Sequence, residues 1–154
     1  MQKVKSNEKK RVALLFDMNR MAKELASARK KLMQLQSSNG GFMWFKGMRD
    51  DRYITQHIVA GIGHLQHLNI TNAKEDKEMK SMLKNAINYL DNSIREDYER
   101  LIRNKQDLSK RQINNFQIHY FYARSFFTDV KVSSQKPKSI RLLLRTNAKV
   151  LVRQ

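Results

Sequence analysis

The residue types able to do chemistry in this chain are few. His57, His64 and His67 fall at spacings of seven and three, which gathers them towards one side of a helix, as a divalent metal would require of its ligands. No thiolate joins them, and the nearest acids, Asp50 and Asp51, lie about two helical turns before His57. Helix spacing alone does not complete a four-ligand set, so ordinary surface or core histidines are the expectation. Asp50 and Asp51 precede an apolar helical pattern and read as a helix cap rather than an acidic metal cluster. His119 and Ser125 stand six apart with no third group to orient them, which is short of a nucleophilic triad. Gly40 and Gly41 lack the lysine and further glycines of a phosphate loop, and so shape a turn. Phe42, Trp44 and Phe45 could stack on a base or sugar, but beside paired glycines they read as aromatics that pack inward. No enzymatic activity, metal or cofactor is expected.

Composition narrows the field further. The chain has 154 residues, about one domain's worth, with one proline and five glycines to interrupt helices. The absence of cysteine rules out disulfides, thiolate metal sites and cysteine nucleophiles within these residues. No apolar run approaches the roughly 20 residues that span a bilayer. Met1–Arg11 is basic without the apolar stretch of a signal peptide, so the chain reads as soluble, with no address of its own. The formal net charge is +17, from 31 basic and 14 acidic residues. Residues 130–154 supply seven basic residues and no acid, and Lys3, Lys5, Lys9, Lys10 and Arg11 form a second excess. Such charge attracts polyanions, which makes a basic helical nucleic-acid-binding module the alternative function. Against it, the excess sits at the two ends and no helix-turn-helix, zinc-finger or RNA-recognition signature accompanies it, so no specific nucleic-acid partner is expected.

The elements that must position these residues are helical. Leu15, Met18, Ala22, Leu25, Ala28, Leu32 and Leu35 recur every three or four residues and predict a helix from Val12 to Leu35. Ser37 to Gly41 ends it, and Phe42 to Asp50 reads as a loop. A second helix starts at Asp50 or Asp51, with Ile54, Ile58, Ile62, Leu65 and Leu68 on one face. Gly61 and Gly63 inside it predict close packing against another element. A turn at Asn69–Asn72 leads to a third helix, from about Lys74 to Asn104, whose buried side is Met79, Leu83, Ala86, Ile87, Leu90, Ile94, Tyr98 and Leu101. A fourth helix carries Ile113, Phe116, Tyr120, Ala123 and Phe127. The fold class is all-α, with antiparallel helix pairs that suit a bundle or an α/α toroid.

Several separated motifs carry a resemblance. Ser38-Asn39-Gly40-Gly41-Phe42-Met43-Trp44-Phe45, then Asp50-Asp51-Arg52-Tyr53-Ile54-Thr55-Gln56, then Ile58-Val59-Ala60-Gly61-Ile62 resemble the glycine-aromatic loop and following helix of bacterial α2-macroglobulin thioester domains. Ala86–Leu90 and His119–Phe127 are similar to downstream parts of the same domain. The match covers about 95 residues, from Gln34 to Phe127. It implies part of an α/α toroid over residues 1–129, and a basic tail of uncertain origin over residues 130–154. It also implies a scaffold or interaction role within a protease-trapping inhibitor in the periplasm, on the cell surface or secreted. Proteases, reached through the parent protein, and that protein's other domains would be the partners. The family's reactive Cys-x-Glu-Gln has no counterpart here, so thioester chemistry is absent from this chain. In this reading Gly40 and Gly41 set a turn, Phe42 and Trp44 anchor the loop, Asp51 caps the helix and Tyr53 packs beneath it.

Overall fold

The helix that opens the chain, α1 (Gln2–Gln34), is built from residues that favour helix and contains neither glycine nor proline. In the computed structural model, which describes residues 2–69, 76–107 and 114–131, it is followed by β1 (Phe42–Met43), β2 (Asp50–Asp51), α2 (Arg52–His67), α3 (Lys77–Arg103) and α4 (Asn115–Ser125). The described residues are therefore mostly helical, with one small antiparallel sheet. No helix among them is long and apolar enough to cross a membrane.

Two compact units divide the chain, residues 1–35 and residues 36–154. The first is α1, which begins ten residues before the Val12 start drawn from its apolar stripe. On its surface Arg20 and Glu24 form an i,i+4 ion pair at 2.9 Å. Leu15, Met18 and Leu25 are 59, 58 and 54 % exposed. A lone helix has no second layer to bury a stripe against, so within this unit the pattern builds no core.

The second unit holds the core. Phe42, Val59, Ala60, Met82, Leu83, Ala86, Ile87, Leu90, Ile94, Tyr120, Ala123 and Phe127 are buried together, with α2 packed on α4 and α3. Each helix starts where a side chain accepts from its free amides. Asp51 takes the Ile54 N–H at 2.9 Å, and Asp76 takes those of Glu78 and Met79 at 2.9 and 3.1 Å. Asn114 and Gln117 form a reciprocal capping box. On α4 the structure buries Tyr120, Ala123 and, just past the helix, Phe127. Phe116 is 48 % exposed, contrary to its expected place on the core face. Ile113, the Ile70–Asn72 part of the first turn and nearly all of the basic tail lie outside the described residues.

The segment Phe42–Asp50 is a hairpin rather than an irregular loop. Phe42 pairs with Asp51 and Met43 with Asp50. The hairpin is rooted by close approach at its base. A Cβ on Gly40, whose φ is +95°, would stand 2.2 Å from the Asn85 carbonyl oxygen. Gly63 is also closely approached, with the Phe126 side chain 2.6 Å from where its Cβ would lie. Gly61 is different: it is exposed and nothing lies within 4 Å of its Cβ position, so the close packing expected there is absent.

These environments predict opposite signs for the same substitution. Gly40→Ala forces both a left-handed alanine and a backbone clash, and should lower stability by roughly 2–4 kcal/mol. Gly61→Ala should raise it by about 0.5–1 kcal/mol through helix propensity. Urea midpoints of the two variants against the parent chain measure both.

Candidate functional site

The motif residues meet at one corner. Gln36 Nε2 donates to the Gly40 carbonyl at 3.0 Å and to the Met82 carbonyl at 2.9 Å, which ties the turn to α3. Asn39 Oδ1 accepts from the Gly41 N–H at 3.0 Å, and the Ser37 N–H donates to the Gly41 carbonyl at 2.8 Å. A Cβ on Gly41 would press on Asp50 and the Tyr89 ring at 2.9 Å. Thr55 closes the corner: its buried hydroxyl accepts from the Phe42 N–H at 2.8 Å and donates to the Asp51 carbonyl at 2.7 Å. Phe42 is fully buried above it. Tyr89 is pushed well above its ordinary range by burial and then by the neighbouring Asp50 carboxylate, which keeps its hydroxyl protonated.

Three of the residues singled out from the sequence, Trp44, Phe45 and Tyr53, lie elsewhere. Trp44 is 49 % exposed and Phe45 69 % exposed, so they do not anchor the loop. The β-ladder is two residues long, and beyond Met43 the chain has already left the core. Tyr53 is 46 % exposed and does not pack beneath the helix. The buried face of α2 runs through Thr55, Gln56, Val59, Ala60, Ile62 and Gly63, which leaves Tyr53 and His57 on its flank.

That flank forms a seam with α4. Tyr53 lies 6.0 Å from His57, 6.4 Å from Phe116 and 6.3 Å from His119, measured between ring centres. His57 and His119 are 6.2 Å apart. Further along, the Tyr122 hydroxyl is 2.6 Å from His64 Nε2, and Phe126 contacts both His64 and His67. All four histidines of the chain therefore touch this seam, but not as one ligand set: His57 faces His119, while His64 and His67 face Tyr122 and Phe126. Among the described residues no group of three or more histidines, aspartates or glutamates is arranged to hold a metal ion. Ser125 Oγ, 2.7 Å from the Tyr122 carbonyl, donates to its own helix.

A buried polar cluster that sequence reasoning missed lies between α3 and α4. Asp91 is 1 % exposed. Its Oδ1 accepts from the Tyr120 hydroxyl at 2.7 Å and from Arg124 Nε at 3.2 Å. Arg124 also donates through Nη1 to the Phe127 carbonyl and through Nη2 to the Val130 carbonyl, holding the turn after α4. Burial pushes the Asp91 carboxyl above its ordinary value, partly offset by Tyr120 and Arg124. Tyr120 is pushed up by burial and by Asp91, and remains a donor. The signal was present in the sequence: Asp91 is the one acid inside the apolar run Ala86-Ile87-Leu90-Ile94, and Tyr120 and Arg124 are four apart on α4. Gln56 was missed as well. It is fully buried and its Nε2 donates to the Phe116 carbonyl at 2.7 Å, pinning α2 to α4.

Comparisons with models of known protein families, with curated proteins and with solved structures return no match. Most of the polar groups in these clusters are engaged: the Thr55 hydroxyl, the Asp51 carboxylate, Asp91 Oδ1 and the Arg124 guanidinium hold backbone or one another, while Asp91 Oδ2 is buried without a hydrogen-bond partner.

Two outcomes follow from the ionisable groups. Arg124→Met leaves a buried carboxylate without its cation and should lower stability at pH 7 by roughly 3–5 kcal/mol. Arg124 lowers the Asp91 pKa, so the folded variant binds the Asp91 proton more readily than the folded parent, and the deficit should shrink as pH falls from 7 towards 4. Urea melts of both chains across that range check it. His119 is shifted the other way, lowered first by burial and then by His57. Its neutral form stabilises the fold above the ordinary value of 6.5, and that contribution is lost as pH drops through the lower folded value. Thermal melts between pH 7.5 and 5 should show this loss, and His119→Gln should reduce it.

Proposed function

We propose that this chain is a scaffold segment of a protease-trapping inhibitor of the α2-macroglobulin kind, forming part of an α/α toroid and contributing no covalent chemistry. One observation carries the reading. Of the residues that define the resemblance, Gly40, Gly41, Phe42, Asp51 and Thr55 are joined in a single corner between the hairpin, α2 and α3. A motif used in this way sets the angle at which a loop enters a helix, which is what a ring of helix pairs needs at each return. Partner proteases would be met through the parent protein, in the periplasm or at the cell surface. The exposed rings of the α2–α4 seam offer surface to its other domains.

The charge of +17 supports the second reading, a nucleic-acid-binding module. Binding of generic duplex DNA across a salt series, by the full chain and by a chain ending at Asp129, separates the two. Under the scaffold reading, affinity falls sharply on trimming. Tight, salt-steep binding by the trimmed chain would place nucleic-acid recognition first. In a second arm the chain is mixed with serine and metalloproteases acting on a small peptide substrate. A scaffold leaves their turnover unchanged, and stoichiometric inhibition would overturn the reading.

A further inference from the structure

The six residues from Trp44 to Arg49 place three large apolar side chains in water, with Trp44 49 %, Phe45 69 % and Met48 53 % exposed. Lys46 and Arg49 are exposed among them, and the segment contains no acid. Single exposed apolar residues are ordinary on a protein surface, but here two stand on one tight turn, Phe45–Met48, and a third immediately precedes it.

The turn is preorganised. The Met48 N–H donates to the Phe45 carbonyl at 3.1 Å, and Gly47 takes the left-handed conformation, φ +91°, that this closure requires. Its base is fixed by the pairing of Phe42 with Asp51 and Met43 with Asp50, and by buried Phe42 on Thr55. Binding through the tip would order little that is not already ordered.

The size and chemistry of the patch select its partner. A stable protein interface draws on about 20–30 residues a side, far more than this tip presents. A bilayer interface needs only a few rings placed at headgroup depth, where tryptophan is favoured, with cations alongside to meet anionic headgroups. We propose that the Trp44–Arg49 hairpin tip is a shallow insertion loop for anionic lipid surfaces. Trp44, Phe45 and Met48 enter the headgroup–acyl boundary while Lys46 and Arg49 meet the lipid phosphates. The inference goes beyond the scaffold reading and does not rest on it.

Trp44 is the sole tryptophan, so its fluorescence reports on the tip alone. The full chain is titrated with vesicles of phosphatidylcholine, with and without phosphatidylglycerol, and binding is measured in parallel by co-sedimentation. Insertion shifts Trp44 emission to the blue and protects it from acrylamide on the anionic vesicles. The Phe45→Ser/Met48→Ser variant, which keeps the tryptophan, loses the shift. The Lys46→Glu/Arg49→Glu variant binds about tenfold or more weakly at low salt. Circular dichroism confirms that both variants keep their helices. Co-sedimentation with unchanged Trp44 emission would overturn the proposal by assigning binding to other basic segments. So would a full shift in the double-serine variant. Absence of any vesicle binding would also overturn it, and would leave the tip to a protein partner.

Discussion

The buried hydroxyl of Thr55 is the point on which the second unit depends. It accepts from the buried Phe42 N–H and donates to the Asp51 carbonyl, so the N–H that folding shuts away from water finds its partner in a side chain tied to the cap of α2. A net contribution of about 1 kcal/mol for each such bond understates its importance, because losing one partner strands the other at a cost of roughly 1–3 kcal/mol. Through Thr55 the strand that brings in Phe42 and the cap that starts α2 become one object. The glycine turn then delivers the chain to that object along a path so close to α3 that no Cβ fits at Gly40.

Asp91 plays the corresponding part between α3 and α4. A carboxyl group at 1 % exposure needs donors in place, and here two of them, from Tyr120 and Arg124 one turn apart on α4, converge on its Oδ1. The arrangement gives little stability over an apolar filling of the same space, but it penalises any rotation or sliding of α4 that separates the charges. Arg124 extends the constraint beyond the helix by holding the carbonyls of Phe127 and Val130. The second unit thus has buried polar anchors of two kinds, Thr55 fixing a loop to a helix and Asp91 and Gln56 fixing helix to helix, alongside the apolar core.

What remains on the outside has a consistent chemistry. Rings and imidazoles line the α2–α4 seam, and rings with two cations occupy the hairpin tip. The chain's net charge of +17 adds long-range attraction to anionic surfaces without choosing among them.

Much of the helical architecture could be read from the sequence by itself. The three- and four-residue spacing of Leu83, Ala86, Ile87, Leu90 and Ile94 described a helix face, and those side chains are buried. The choice of Asp50 or Asp51 as the cap of α2 followed from the ability of an aspartate to accept helix amides, and Asp51 fills that position. Periodicity and capping are local, which is why a single strand of sequence can reveal them. Whether an apolar residue finds a partner is not local. Leu15 and Leu25 have as regular a stripe as the core helices yet are exposed, and Trp44 reads as a core residue until the two-residue ladder carries it outward. The turn at Gly40, the pairing of Asp91 with Tyr120 and Arg124, and the grouping of the histidines join positions as much as 62 residues apart between His57 and His119. Those pairings were decided by the tertiary structure, because burial makes distant polar groups satisfy one another and no spacing along the chain records which of them will meet.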